Sequence, residues 1–139
     1  MRHEIIPNLR YADALGAIDF LCKAFGFERK AVYLSEDDPK RVQHAQLVWE
    51  DRIVMVYSVN DTEFARAAKM RTVAQAGGPT IGLYLIVEDV DAHAARARRA
   101  GAEIFLEPRD QPYGGRGYSA RDREGYVWSF GSYDPWADV

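Results

Sequence analysis

The feature that most constrains this chain is an internal repeat in its pattern of strands, caps and helix ends. Ile5–Tyr11 reads as a strand, and Asp13 then offers a helix N-cap. Ala14, Leu15, Ile18, Leu21, Cys22 and Phe25 follow at helical spacing, and Gly26 supplies the residue past the helix end. The second half repeats this order. Thr80–Val87 reads as a strand, Asp89 as an N-cap, and Val90, Ala94 and Ala97 as a helical stripe closed by Gly101. Phe25-Gly26-Phe27 and Ala100-Gly101-Ala102 thus hold equivalent places, 75 residues apart.

The match continues past the helices. Glu28–Leu34, Val42–Trp49 and Arg52–Ser58 read as three strands in the first half. Glu103–Glu107, Gly117–Arg121 and Tyr126–Ser132 read as three in the second, the last two divided by the DREG turn. Each half is therefore a βαβββ module: module one over 4–58, module two over 80–134, with a linker over 59–79. The linker's Ala-rich 62–76 stretch suits a short helix, broken by Gly77-Gly78-Pro79. One module buries its own sheet face poorly, so pairing two is favoured. The expectation is one α+β domain over 1–139, its modules forming a curved mixed sheet around a cleft.

Bulk properties exclude several classes. A net charge of −3 argues against a nucleic-acid partner. The basic cluster Arg96, Arg98 and Arg99 reads as a solvated helix face. No apolar run reaches about 20 residues, so no membrane-spanning helix is expected, and no signal peptide is visible. A cytoplasmic location follows by default. The single cysteine, Cys22, permits no intrachain disulfide and reads as a small hydrophobe on the helix stripe.

The segments LRYADALGAIDFLCKAFGF, VEDVDAHAARARRAGAEI and GGRGYSARDREGYVWSFGSYDPW resemble the vicinal oxygen chelate superfamily: glyoxalases, extradiol dioxygenases and bleomycin-resistance-type binding proteins. The resemblance implies paired βαβββ modules in a cupped sheet, commonly in dimers. In the family's metalloenzymes, His, Glu or Gln side chains near the centres of the first and last strands of each module hold a divalent metal. Aligning this chain on its strand–helix joins puts those positions near Ile6, Met55, Gly82 and Ser129. None carries an imidazole, thiolate or carboxylate, and a slip of one residue recruits no better donor. No metal and no other cofactor is therefore expected. His3, His44 and His93 show no metal-ligand spacing, and His93, flanked by alanines, reads as exposed.

Strand alternation suggests what lines the cleft. On Val42–Trp49, Ala45, Leu47 and Trp49 share the helix-facing side, which turns His44 and Gln46 into the cup. That polar pair requires hydrogen bonds from the protein, water or a ligand, and His44 is the natural general base were there one. On the fourth strand, Met55 and Tyr57 share a face and join the same lining. In the glycine-rich loop, Tyr113, Arg116 and Tyr118 are candidates for a rim, where Arg116 meets an anion or carbonyl and a tyrosine stacks on a planar group. Trp128 reads as core. Trp136 in the tail either caps the cleft or packs at a dimer interface.

The sequence reading is a metal-independent small-molecule-binding protein of the bleomycin-resistance type, with no catalytic residues. It would sequester a planar or amphipathic compound such as an antibiotic or secondary metabolite, and act as a homodimer. The alternatives are a glyoxalase-like lyase, isomerase or dioxygenase-related enzyme, and an interaction module without a small ligand. Whether the modules pair within a chain or across a dimer stays open.

Overall fold

A computed structural model of the chain describes residues 1–60 and 62–137. Module one runs β1 (Asn8–Tyr11), α1 (Ala14–Phe20) continued by a π-helical turn (Leu21–Phe25), β2 (Glu28–Leu34), β3 (Val42–Trp49) and β4 (Arg52–Ser58). The linker holds two short helices, α2 (Glu63–Ala68) and α3 (Val73–Ala76). Module two runs β5 (Gly82–Ile86), α4 (Val90–Arg99), β6 (Glu103–Asp110), β7 (Arg116–Arg121) and β8 (Val127–Gly131).

The local causes are those expected. The Asp13 carboxylate accepts from Gly16 N at 3.0 Å, and the Asp89 carboxylate accepts from Ala92 N at 3.0 Å, so equivalent aspartates start both module helices. Gly26, at φ 91°, ends the first helix in the left-handed region that side chains disfavour.

The strands form the expected paired-module α+β arrangement, with sheets that are not closed on one another. The chain forms two four-stranded mixed sheets, ordered β1-β4-β3-β2 and β5-β8-β7-β6. In each, the first strand of the module runs parallel to the last, and the other pairings are antiparallel. Among the described residues, β1 and β5 are edge strands that pair with no strand of the other sheet.

Each sheet buries one face. Leu9, Tyr11, Ala45, Leu47 and Val56 face the helices in module one, and Tyr118, Ala120, Trp128 and Phe130 do so in module two. Phe25 joins the two sets. Its ring packs 4.8 Å from Phe130 and 5.5 Å from Trp128, centroid to centroid, so the modules share one core.

Polar contacts reinforce this join. Asp122, in the DREG turn, is buried and accepts from Tyr11 Oη at 2.6 Å and Trp128 Nε1 at 3.1 Å. It also accepts from Glu124 N and Tyr126 N. Glu124 takes the backbone N–H groups of Ala12 and Asp13, and the Tyr126 hydroxyl bridges the backbone of Arg10. A turn of module two thus holds the strand–helix join of module one. Arg96 adds a second tie by donating to the carbonyls of Lys23 and Cys22 within the π-helical turn, near the end of the first helix. The cluster read as a solvated face therefore carries one inter-module contact, and Arg98 pairs with Glu107.

Among the described residues, no helix is long and apolar enough to cross a membrane.

Candidate functional site

Because each sheet buries one face against the helices, the residues alternating with the core stand on the opposite, open face. On module one the pairing registers Asn8 with Met55 and Gln46, and Arg10 with Tyr57. Continuing one row, His44 pairs with Tyr33. The expected lining residues His44, Gln46, Met55 and Tyr57 are thus brought together, all half-buried on one face.

They form a continuous chain. The Gln46 amide nitrogen lies 3.0 Å from His44 Nε2, and His44 Nδ1 lies 2.9 Å from Tyr57 Oη. Tyr57 Oη is 3.5 Å from Met55 Sδ. One proton arrangement satisfies every member. Gln46 donates to Nε2, Nδ1–H donates to Tyr57, and the tyrosine proton turns to the thioether. Tyr33 stacks on the far side of the imidazole at 6.1 Å. In this arrangement both ring nitrogens are engaged, so His44 has no free lone pair for a general base. The face offers instead a fixed polar centre flanked by two aromatic rings and a thioether.

The open face of module two is differently furnished. The hydroxyls of Ser119 and Ser129 share a hydrogen bond of 2.7 Å, and Tyr84 stands opposite Ser129. A depression of about 370 Å³ covers this face, lined by Tyr84, Leu106, Arg109, Gln111, Tyr113 and Ser129 among others. Tyr113, expected at the rim, is therefore there, edge-on to Tyr133 at 5.1 Å.

Tyr118 also borders this depression, but its ring and the remaining candidates are placed differently. Tyr118 registers with Phe130 on the helix-covered face, and only 2% of it is exposed. Its hydroxyl lies 2.6 Å from His93 Nδ1, and burial pushes its pKa up. Arg116 is committed to a two-point pair with Asp91, at 2.8 and 3.0 Å, with Asp110 beside it. It fastens β7 to the start of α4. Trp136 is 80% exposed. His93 is corrected most. Its Nε2 bonds the Phe25 carbonyl at 3.0 Å and its ring packs 4.3 Å from Phe130, so burial lowers its pKa. Sequence reasoning passed over Arg10, Tyr84, Arg109 and Ser119. Alternation along β5 would have found Tyr84, once its paired partner was known.

The register also corrects the metal positions. β1 begins at Asn8, so the residues opposite Met55 and Ser129 are Asn8 and Tyr84, two on from Ile6 and Gly82. The corrected set is an amide, a thioether, a phenol and a hydroxyl. It lacks the imidazoles, carboxylates or thiolates that a divalent ion requires, and the residues do not fit the family's metal. Among the described residues, no three His, Cys, Asp or Glu side chains converge elsewhere as a metal-binding group.

Paired βαβββ modules, each with a helix-covered face and an open face, define a class of protein built to present cupped sheet surfaces. The chain belongs to the glyoxalase/bleomycin resistance protein/dioxygenase superfamily, whose family model matches residues 6–130. It is 36% identical over 128 residues to the uncharacterized protein Mb0911c of Mycobacterium bovis, covering 90% of this chain and 80% of that one. Among solved structures it resembles TioX from Micromonospora sp. ML1, with 30% identity, a TM-score of 0.71 and coverage of 93% and 94%. A glyoxalase/bleomycin resistance protein/dioxygenase from Nocardioides shares the fold at 16% identity and a TM-score of 0.67, with coverage of 94% and 84%.

Proposed function

We propose that this protein binds a planar or amphipathic small molecule without a metal, of the kind an antibiotic or secondary metabolite presents, and sequesters it unchanged. The observation that carries this reading is the Gln46–His44–Tyr57–Met55 chain on an open sheet face. Its imidazole nitrogens and phenol are paired within the chain, so a ligand meets aromatic and thioether surface without first breaking a costly network. The absence of a free base on His44 and of metal-type donors at Asn8, Met55, Tyr84 and Ser129 favours binding over turnover.

An open face is only half a cleft. The edge strands β1 and β5 are flanked by exposed apolar side chains: Ile5 at 94%, Ile81 at 61%, Tyr84 at 43% and Ile86 at 39% exposed. Unprotected apolar edges invite pairing with another chain. A homodimer, in which a second copy covers these edges and completes the cleft, accounts for them.

The test is a thermal-shift screen of bleomycin and planar aromatic natural products, with metal analysis of the purified protein. A true ligand at 100 times its Kd raises stability by roughly 2.7 kcal/mol. His44→Ala with Tyr57→Phe should abolish that shift while leaving the unliganded fold intact. Stoichiometric bound metal whose chelation removes binding would refute the metal-independent reading. Sedimentation should give a dimer, and Ile81→Lys a monomer with weakened binding.

A further inference from the structure

Arg10 is the one cation of β1, and only 4% of it is exposed. Leu9 and Tyr11 face the helices, so alternation sends Arg10 to the other side of the sheet, where the linker covers it. Its guanidinium carbon lies 4.4 Å from the centroid of Tyr57. That contact satisfies the face of the group but none of its N–H donors. Nε and Nη1 are buried and have no hydrogen-bond partner among the described residues. Arginine stays charged in proteins. A buried charge without a partner is strongly unfavourable, more so than an unpaired neutral group.

The surroundings are complementary to a negative charge. Arg10 borders a cavity of about 10 Å³, closed by Val59, Asn60, Ala65 and Met70 together with Arg71, Thr72 and Gln75. Among the described residues, no carboxylate lines it. Asn60 Oδ1 is also buried and unpartnered. Reversing that amide, which exchanges two nearly indistinguishable groups, would present an N–H₂ donor instead. The Thr72 hydroxyl accepts from Gln75 N at 3.2 Å, which leaves its own proton free to donate. Buried Arg10 and Thr72, with the half-buried Asn60, can thus donate into a space of one water-sized particle.

We propose that this linker pocket is an anion site that takes a monatomic ion of chloride size, held by Arg10, Asn60 and Thr72. A carboxylate or phosphate is too large for it without displacing α2 and α3. The ion would neutralise Arg10, join the linker to β1 and hold the guanidinium against Tyr57, at the end of the row that carries His44. Burial already pulls the Arg10 pKa down, as expected for a guanidinium removed from water without a counter-charge. The site stands independently of the small-molecule reading of the sheet face.

Crystals soaked in sodium bromide test it directly. An anomalous bromine peak within hydrogen-bond reach of Arg10 Nε is expected. Bromide on surface groups only, or a refined water beside Arg10, overturns the proposal. In solution, replacing sodium gluconate by sodium chloride at constant ionic strength should raise the melting temperature saturably. Arg10→Met should raise the half-saturating chloride concentration at least tenfold. Asn60→Asp keeps the shape of the side chain and supplies a built-in counter-charge. It should melt higher than the parent protein in gluconate and lose the chloride response. Equal chloride responses in parent and Asn60→Asp, or a lower melting temperature for Asn60→Asp in gluconate, would refute the site even if Arg10→Met fails to fold.

Discussion

Replacing Asp122 by Asn isolates the tie between the two modules. The carboxylate receives four N–H or O–H donors, two on each oxygen. Glu124 N and Tyr126 N point to Oδ1, while Tyr11 Oη and Trp128 Nε1 point to Oδ2. An asparagine that keeps its oxygen on the backbone pair turns N–H₂ toward the other two. Tyr11 can rotate its proton and accept, but an indole N–H only donates. One donor on Trp128, which is 0% exposed, is then left unpaired. Such a group costs about 1–3 kcal/mol. Urea unfolding followed by tryptophan fluorescence should show that loss at pH 7 with an unchanged m-value. The pH dependence gives a second check. Burial is the largest influence on Asp122 and raises its pKa above the unfolded value of about 3.9. The folded state therefore takes up the proton first on acidification. The wild type gains stability relative to Asp122→Asn as pH falls through the folded pKa toward about 4. The gap between the two proteins should widen from pH 7 to pH 4.5. A neutral substitution, or a gap that narrows on acidification, would refute this account of the join.

Other perturbations probe separate parts of the structure. Phe25→Ala removes a fully buried ring that packs against both modules, and should cost about 3–5 kcal/mol in urea titrations. The folded pKa of His93 is depressed by burial, so its contribution to stability is present above about 6.5 and is lost as pH falls through the folded value. His93→Gln should flatten the stability profile below about pH 6.5, read as urea midpoints at pH 7.5 and 5.5. Arg116→Ala breaks an exposed pair with Asp91 and should leave both the urea midpoint and the binding of any screened ligand nearly unchanged. Loss of ligand binding in that variant would return Arg116 to the rim.

The repeat was legible because it is written in local chemistry. Asp13 and Asp89 cap, Gly26 takes a positive φ, and both act within a few residues of themselves. The limits of β1 were not legible, since Ile5 and Ile6 look like strand residues. Proline lacks an N–H, and the Pro7 carbonyl receives Met55 N at 2.9 Å just before the regular ladder starts at Asn8. That shift moved the module-one metal position from Ile6 to Asn8. Strand alternation correctly turned His44, Gln46, Met55 and Tyr57 to one face, because a period of two needs no knowledge of partners. Tyr118 reads from sequence as part of the glycine-rich loop, and alternation along β7 turns its ring to the helix-covered face instead. The DREG turn carried a different kind of error. Asp122 and Glu124 are ordinary turn residues by composition, yet they reach back more than a hundred positions to Tyr11, Ala12 and Asp13.

The two interior histidines show how much depends on which face a residue occupies. His93 lies three residues after Val90 and four before Ala97, both buried, so helical spacing places it beside the core stripe despite its alanine neighbours. Its hydrogen bonds to Tyr118 and to the Phe25 carbonyl serve packing between modules. His44 also bonds a tyrosine, at nearly the same distance, but on the side of its sheet away from the helices. Both rings are satisfied, so hydrogen bonding alone does not separate a core histidine from a binding one. Access does. Replacing His93 should therefore act on folding and leave ligand affinity in the residual folded protein intact. Replacing His44 should do the reverse, because the half-buried ring loses partners that solvent can supply. Measuring stability and binding for both variants side by side distinguishes these roles, and a His44 variant that loses stability without losing binding would reassign the open face to architecture.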